Sequence, residues 1–210
     1  MAKKYYVVWE GKKRGVFKSW NVCKKSIDGF PGAKYKSFAD KELAEKAFKE
    51  TYEQYKGVST KKKELSAQEK KAYGKPLLNT IAVDAACSGN PGRMEYRGVA
   101  TGTATQLFIQ GPYTSGTNNV GEFLALVHGL AWLQQKKELT LPIYSDSRIA
   151  ISWVKQRKCK TKLVLNKDTA ILFDLIKRAE IWLKNNPYKN PILKWETKAW
   201  GEIPADFGRK

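Results

Sequence analysis

The sequence predicts a small α+β unit of three short strands, then an α/β unit whose mixed five-stranded sheet is flanked by helices. Three observations predict it. An aromatic, β-branched hairpin opens the chain. The apolar pattern fails between about Gly57 and Lys75. Beyond that break, strand-like and helix-like segments follow in the order βββαβααβ. A hydrophobic content of 42%, with seven tryptophans and ten tyrosines, supplies a packed core for one or two domains in 210 residues.

The first unit is expected over residues 1–52. Tyr5 to Trp9 reads as a strand, Gly11-Lys12-Lys13-Arg14-Gly15 as a turn, and Val16 to Trp20 as the returning strand. Asn21 is expected to cap a short helix through about Ile27. Gly29-Phe30-Pro31-Gly32 breaks that helix, and Ala33 to Phe38 forms a third strand. Asp40 then caps a helix that carries Leu43, Ala44, Ala47, Phe48 and Tyr52 at helical spacing. Residues 53–76, with Lys61-Lys62-Lys63 among them, read as a charged linker or a frayed helical extension.

The second unit is expected over 77–210. It opens with a strand from Leu77 to Val83, and strands follow near Tyr96–Thr101 and Gln106–Gln110. Next comes a helix from about Asn119 to Lys136, with Leu124, Val127, Leu130, Ala131 and Leu133 on its apolar side. Leu141 to Tyr144 is a strand, Ser147 to Lys155 and Lys167 to Lys184 are helices, and Ile192 to Glu196 is the last strand.

The net charge is +19, and both halves of the chain are basic. Dispersed Lys and Arg of this kind suit a polyanion, nucleic acid before a membrane surface. Cysteines 23, 87 and 159 form neither a CxxC pair nor a Cys/His cluster, so neither zinc nor a disulfide framework is indicated. No stretch approaches 18 apolar residues, and the N-terminus has no apolar signal region. A soluble cytoplasmic monomer with no membrane contact is expected.

Against that basic background, four carboxylates lie where apolar segments meet polar turns. Asp84 is expected at the C-terminal end of its strand, Glu122 at a helix start, Asp146 between a strand and a helix, and Asp206 in the tail. Clustered acids repel one another unless something positive sits among them, so their convergence points to a divalent metal. His128 lies six positions beyond Glu122, off that residue's helix face, and is expected to pack rather than react.

The segments VDAACSGNPG (83–92), TNNVGEFLALVHGL (117–130), YSDSRIAISWV (144–154) and WGEIPADFG (200–208) resemble, in order, the motifs of type 1 ribonuclease H. Residues 5–38 resemble the hybrid-binding domain often fused ahead of that nuclease. The resemblance implies a ribonuclease H-like sheet and cleavage of the RNA strand of RNA/DNA hybrids, leaving 5′-phosphate and 3′-hydroxyl ends. It implies two Mg²⁺ per site, with Mn²⁺ as a substitute. Asp84 would bridge both ions, Glu122 and Asp146 would complete one site, and Asp206 the other.

It further implies that Gly89, Asn90, Asn118 and Asn119 line the RNA side, and that Trp153 packs on deoxyribose. Thr117 and Thr161 would form a phosphate pocket. Cys87 and Arg148 stand where relatives often carry Ser and Gln, and Arg148 would contact the nucleic acid. The family histidine before the fourth acid is absent, and Glu202 in that short loop is expected to tune metal occupancy or release. In the first unit Tyr6, Trp20 and Tyr35 would face the DNA strand, with Lys36 on its backbone. Duplex RNA would be a further partner for that unit. A noncatalytic hybrid- or duplex-RNA-binding module and a ribosome-associated structural protein are the competing readings.

Overall fold

The structure, a computed structural model, describes residues 4–57 and 65–208. The chain divides into two units, 1–64 and 65–210. The Lys61-Lys62-Lys63 run lies outside the described residues.

In the first unit, β1 (Tyr5–Glu10) is the middle strand of an antiparallel sheet, between β2 (Gly15–Phe17) and β3 (Lys34–Phe38). Side chains alternate across a strand, so β1 serves two faces. Tyr5, Val7 and Trp9 pack with Phe38 against Ala44 and Ala47 of α2 (Lys41–Lys49). The Trp9 indole N–H reaches the carbonyls of Ala47 and Glu50, each at 2.9 Å. Tyr6 and Val8 lie on the other face, with α1 (Trp20–Ile27).

Asp40 caps α2 as expected, accepting from the Leu43 N–H at 3.0 Å. Three expectations fail. The returning strand β2 stops at Phe17, and Trp20 opens α1 instead of ending a strand. Asn21 lies inside α1 rather than capping it: the Ser19 carbonyl takes the Cys23 N–H at 3.1 Å, and Trp20 turns its ring onto Tyr6. Tyr52 is not on α2, which ends at Lys49. It opens a separate 3-10 turn over Tyr52–Gln54, from which it still meets the Trp9 ring at 5.4 Å.

In the second unit the sheet order is β6-β5-β4-β7-β8. The strands are β4 (Ile81–Cys87), β5 (Gly92–Ala100), β6 (Gln106–Gly116), β7 (Ile143–Ser145) and β8 (Ile192–Lys194). β4, β5 and β6 pair antiparallel, whereas β4, β7 and β8 run parallel. The helix α4 (Asn118–Gln135) covers Ile81, Val83 and Ala85 of β4. Phe123, Leu126, Leu130 and Leu133 of α4 are buried in one core with Leu172, Ile176 and Leu183 of α6 (Ala170–Asn185). The opposite face buries Ala82, Val99, Tyr144, Trp195, Ile203 and Ala205.

The first strand of this unit starts later and runs further than its apolar content indicates. Leu77 and Leu78 are exposed and lie outside it. β4 instead pairs with β5 from Ile81 to Cys87, so Asp84 is mid-strand, opposite Arg97. Pairing across the hairpin sets the strand's end, not the Gly-rich loop. α4 is buried on nearly every side, because the sheet, α5 (Arg148–Lys155) and α6 all pack on it. Within residues 53–76, Ser66 and Glu69 make a reciprocal capping box that starts α3 (Ala67–Ala72). α3 packs on α7 (Thr197–Trp200), and the Trp200 indole N–H donates to the Gly74 carbonyl at 2.9 Å. No helix among the described residues is long and apolar enough to cross a membrane.

Candidate metal centre and nucleic-acid interface

Three elements deliver three carboxylates to one point. β4 carries Asp84, the second turn of α4 carries Glu122, and the residue after β7 is Asp146. One carboxylate oxygen from each lies within 4.8 Å of the others. Gly121 makes the approach possible: a Cβ there would stand 2.6 Å from the Ala85 Cβ, so any larger residue would push α4 and Glu122 away from Asp84. Thr117 caps α4 by accepting from the Val120 N–H, and Ser147 caps α5 by accepting from Ala150. The Asn118 amide donates to Glu122 Oε1 at 2.8 Å and sets its orientation.

Burial pushes Asp84 up to about 8, and the Asp146 charge adds to it, with smaller contributions from Glu122 and Asp206. Glu122 is pushed up to about 7, again by burial first; a hydrogen bond from Ser147 and the Lys194 charge pull it back. Asp146 is raised by burial, held down in part by Lys194, and pushed up by Glu202 and Asp206. Asp146 Oδ1 is buried with no hydrogen-bond partner among the described residues. A buried acceptor without a donor, in a cluster whose acids resist ionising together, fits a divalent cation held by hard oxygen ligands.

Asp206 stands at the edge of this group. Arg97 positions it by donating to the Ala205 carbonyl at 2.9 Å and to the Asp206 carbonyl at 2.6 Å, with its guanidinium 4.7 Å from the Phe207 ring centre. The Asp206 carboxylate accepts from the Gly208 N–H at 2.9 Å. Its charge reaches Asp84 and Asp146, but it is not among the three that meet. Glu202 is exposed, and its charge raises Asp146. Lys194 and Arg97 were not expected at the site. Arg97 sits mid-strand and Lys194 at the end of β8, with nothing local to mark either, and only the pairings Ser145↔Lys194 and Asp84↔Arg97 place them there.

A cavity of about 470 Å³ gathers Asn90, Thr117, Asn119, Trp153 and Thr161, together with Lys160 and Lys162. Trp153 is buried at its back, edge-on to Phe123 at 6.2 Å. Gly89 lies in the exposed turn before it, where its carbonyl accepts from the Cys87 thiol. Arg148 is not in that cavity; it lines a separate depression with Lys155 and Lys194. His128 packs as expected, stacked on Phe108 at 4.1 Å, and burial lowers its pKa.

In the first unit, the Trp20 ring lies 5.5 Å from Tyr6 and 5.9 Å from Tyr35, and Trp20 and Tyr35 are each 42% exposed. The three rings therefore form one open aromatic surface. Lys36 does not join it. Strand alternation puts Lys36 opposite Val7 on the α2 face, where its ammonium donates to the Tyr55 carbonyl.

Residues 78–195 match the family described as RNase H, and residues 4–48 match the one described as Ribonuclease H1 N-terminal domain. Ribonuclease H of Desulforamulus reducens is 30% identical over 121 residues, covering 55% of this chain and 73% of that protein. Human Ribonuclease H1 is 45% identical over 40 residues, which are 19% of this chain and only 14% of that protein. The solved structure of LC11-RNase H1, isolated from compost, is 23% identical. It covers 56% of this chain and 84% of its own, with a TM-score of 0.37.

Proposed function

Because the chain belongs to the ribonuclease H family, we propose that it hydrolyses the RNA strand of RNA/DNA hybrids, leaving 5′-phosphate and 3′-hydroxyl ends. The meeting of Asp84, Glu122 and Asp146, with a buried Asp146 oxygen lacking a donor, carries this reading.

Asp84, Glu122, Asp146 and Asp206 would hold two Mg²⁺ ions, and Mn²⁺ would fit the same oxygen set. When bound, such ions neutralise charge on the phosphoryl oxygens and make water a better nucleophile. The protein's own groups do the rest. Asn118 holds the Glu122 carboxylate in one orientation. Lys194 offsets part of the repulsion among the acids. Trp153 would pack on a deoxyribose, and Thr117 with Thr161 would take a phosphate of the DNA strand. Gly89, Asn90, Asn118 and Asn119 would meet 2′-hydroxyls, the group by which RNA is told from DNA. The Tyr6–Trp20–Tyr35 surface would hold a hybrid, or duplex RNA, against the first unit.

The test is cleavage of labelled RNA/DNA hybrid, duplex RNA and duplex DNA, with and without Mg²⁺. Only the hybrid should be cut, only with the metal, and Asp146→Asn should abolish cutting while hybrid binding persists. Binding without metal-dependent cleavage by the parent would overturn the reading.

A further inference from the structure

Three acidic side chains are buried among the described residues: Asp84, Glu122 and Glu180. The first two belong to the acid cluster. The third lies on α6, which packs on α4, and the chemistry above makes no use of it.

Glu180 is 8% exposed. Its two oxygens are spent on one stretch of chain. Oε1 accepts from the backbone N–H of Cys159 at 3.0 Å, and Oε2 from the Lys158 ammonium at 2.8 Å. That stretch follows the end of α5. Arg157 takes a left-handed conformation (φ 54°), and the Lys158 N–H bonds back to the Trp153 carbonyl at 3.0 Å. Cys159 is buried and anchors the turn in the core. Lys160, Thr161 and Lys162 follow at once as one wall of the cavity that also holds Thr117 and Trp153. The wall has no regular secondary structure of its own. Glu180 therefore ties an irregular, cation-bearing wall to a rigid helix, from behind.

We propose that Glu180 is a positioning residue for substrate binding. By holding Lys158 and the Cys159 N–H, it presets Thr161, Lys160 and Lys162 to receive one phosphate of the DNA strand opposite Thr117. The inference rests on the functional reading above. It adds that affinity for the uncut strand is built from the back of the cavity, by a carboxylate that touches no substrate. A charge-assisted hydrogen bond to a partly buried carboxylate is strong enough to hold a loop in one arrangement.

The experiment uses the full chain and compares the parent with Glu180→Gln, Glu180→Ala and Lys158→Met. Steady-state cleavage is measured on an intact hybrid and on hybrids whose DNA strand carries a single neutral methylphosphonate, moved one linkage at a time. One linkage should weaken the parent, and it identifies the phosphate that the cavity takes. On the intact hybrid, Glu180→Ala is expected to raise KM about tenfold while kcat stays within about twofold. Lys158→Met and Glu180→Gln should raise KM less. On the hybrid neutralised at the identified linkage, all four proteins should have the same KM.

A purely structural role would lower activity by the same factor on both hybrids, and that result overturns the proposal. So does a Glu180→Gln or Lys158→Met protein that matches the parent on both. If Glu180→Ala does not fold, those two variants decide. A parent that cuts no hybrid refutes the functional reading itself. A parent that cuts while the variants behave as it does refutes only the role of Glu180.

Discussion

Replacing Asp84 by Asn should stabilise the metal-free protein. Asp84 ordinarily titrates near 3.8, but in the fold its pKa is pushed up to about 8, mainly by burial and then by Asp146. An acid raised in this way binds more protons folded than unfolded. Its penalty is absent below about pH 4, grows as the pH rises, and is complete above about pH 8. At pH 7 the gap covers about three pH units, or about 4 kcal/mol at about 1.4 kcal/mol per unit. Asn removes the charge but leaves a buried amide that lacks part of its bonding, which costs about 2 kcal/mol. The net gain of about 2 kcal/mol corresponds to about 4–8 °C for a unit of this size.

The assay is thermal unfolding in EDTA and in millimolar Mg²⁺, at pH 5 and pH 7. In EDTA at pH 7, Asp84→Asn should melt above the parent, and at pH 5 the advantage should shrink or vanish. Mg²⁺ should raise the parent's melting temperature and leave Asp84→Asn nearly unmoved, because only the parent keeps the full ligand set. A variant that melts at or below the parent in EDTA at pH 7 would refute the argument from burial and repulsion.

Lys194→Met should move the acid limb of the pH–rate profile to higher pH, because Lys194 lowers the pKa of both Glu122 and Asp146; an unmoved limb would show its charge to be screened. Glu202→Gln should shift the Mg²⁺ optimum, since the Glu202 charge acts on Asp146; unchanged turnover and optimum would remove Glu202 from the mechanism. Trp20→Ala should weaken hybrid binding by about 1–3 kcal/mol, as loss of an exposed aromatic face does elsewhere, with kcat unaffected. Equal affinity in a gel-shift titration would assign the three rings to packing.

Much of the site can be read from its motifs, because each acid sits beside a local signal. Thr117 and Ser147 announce helix starts, and Glu122 and Asp146 follow from them. Asp84 could be identified but not placed: Leu77 and Leu78 look like strand residues yet lie outside β4, and the pairing with β5 carries the strand past the acid. Arg97 and Lys194 could not be read at all. Their roles depend on which strands become neighbours, and no short-range pattern states that. Lys36 lies off the ring surface for the opposite reason. It is one residue from Tyr35, and in a strand the next residue faces the other way. α3 was hidden by its composition, since Ala67–Ala72 has no apolar stripe and only the Ser66/Glu69 cap gives it away.

The grip of Arg97 on the Ala205 and Asp206 carbonyls has a consequence for the order in which the protein becomes competent during synthesis. Asp84 and Arg97 leave the ribosome early, on strands that pair with each other in the sheet. Asp206 comes far later, and until it docks, Arg97 has no carbonyls to hold. Chains fold from the N-terminus as they emerge. On the reading proposed above, a growing chain would be able to grasp a hybrid before it is able to cut one.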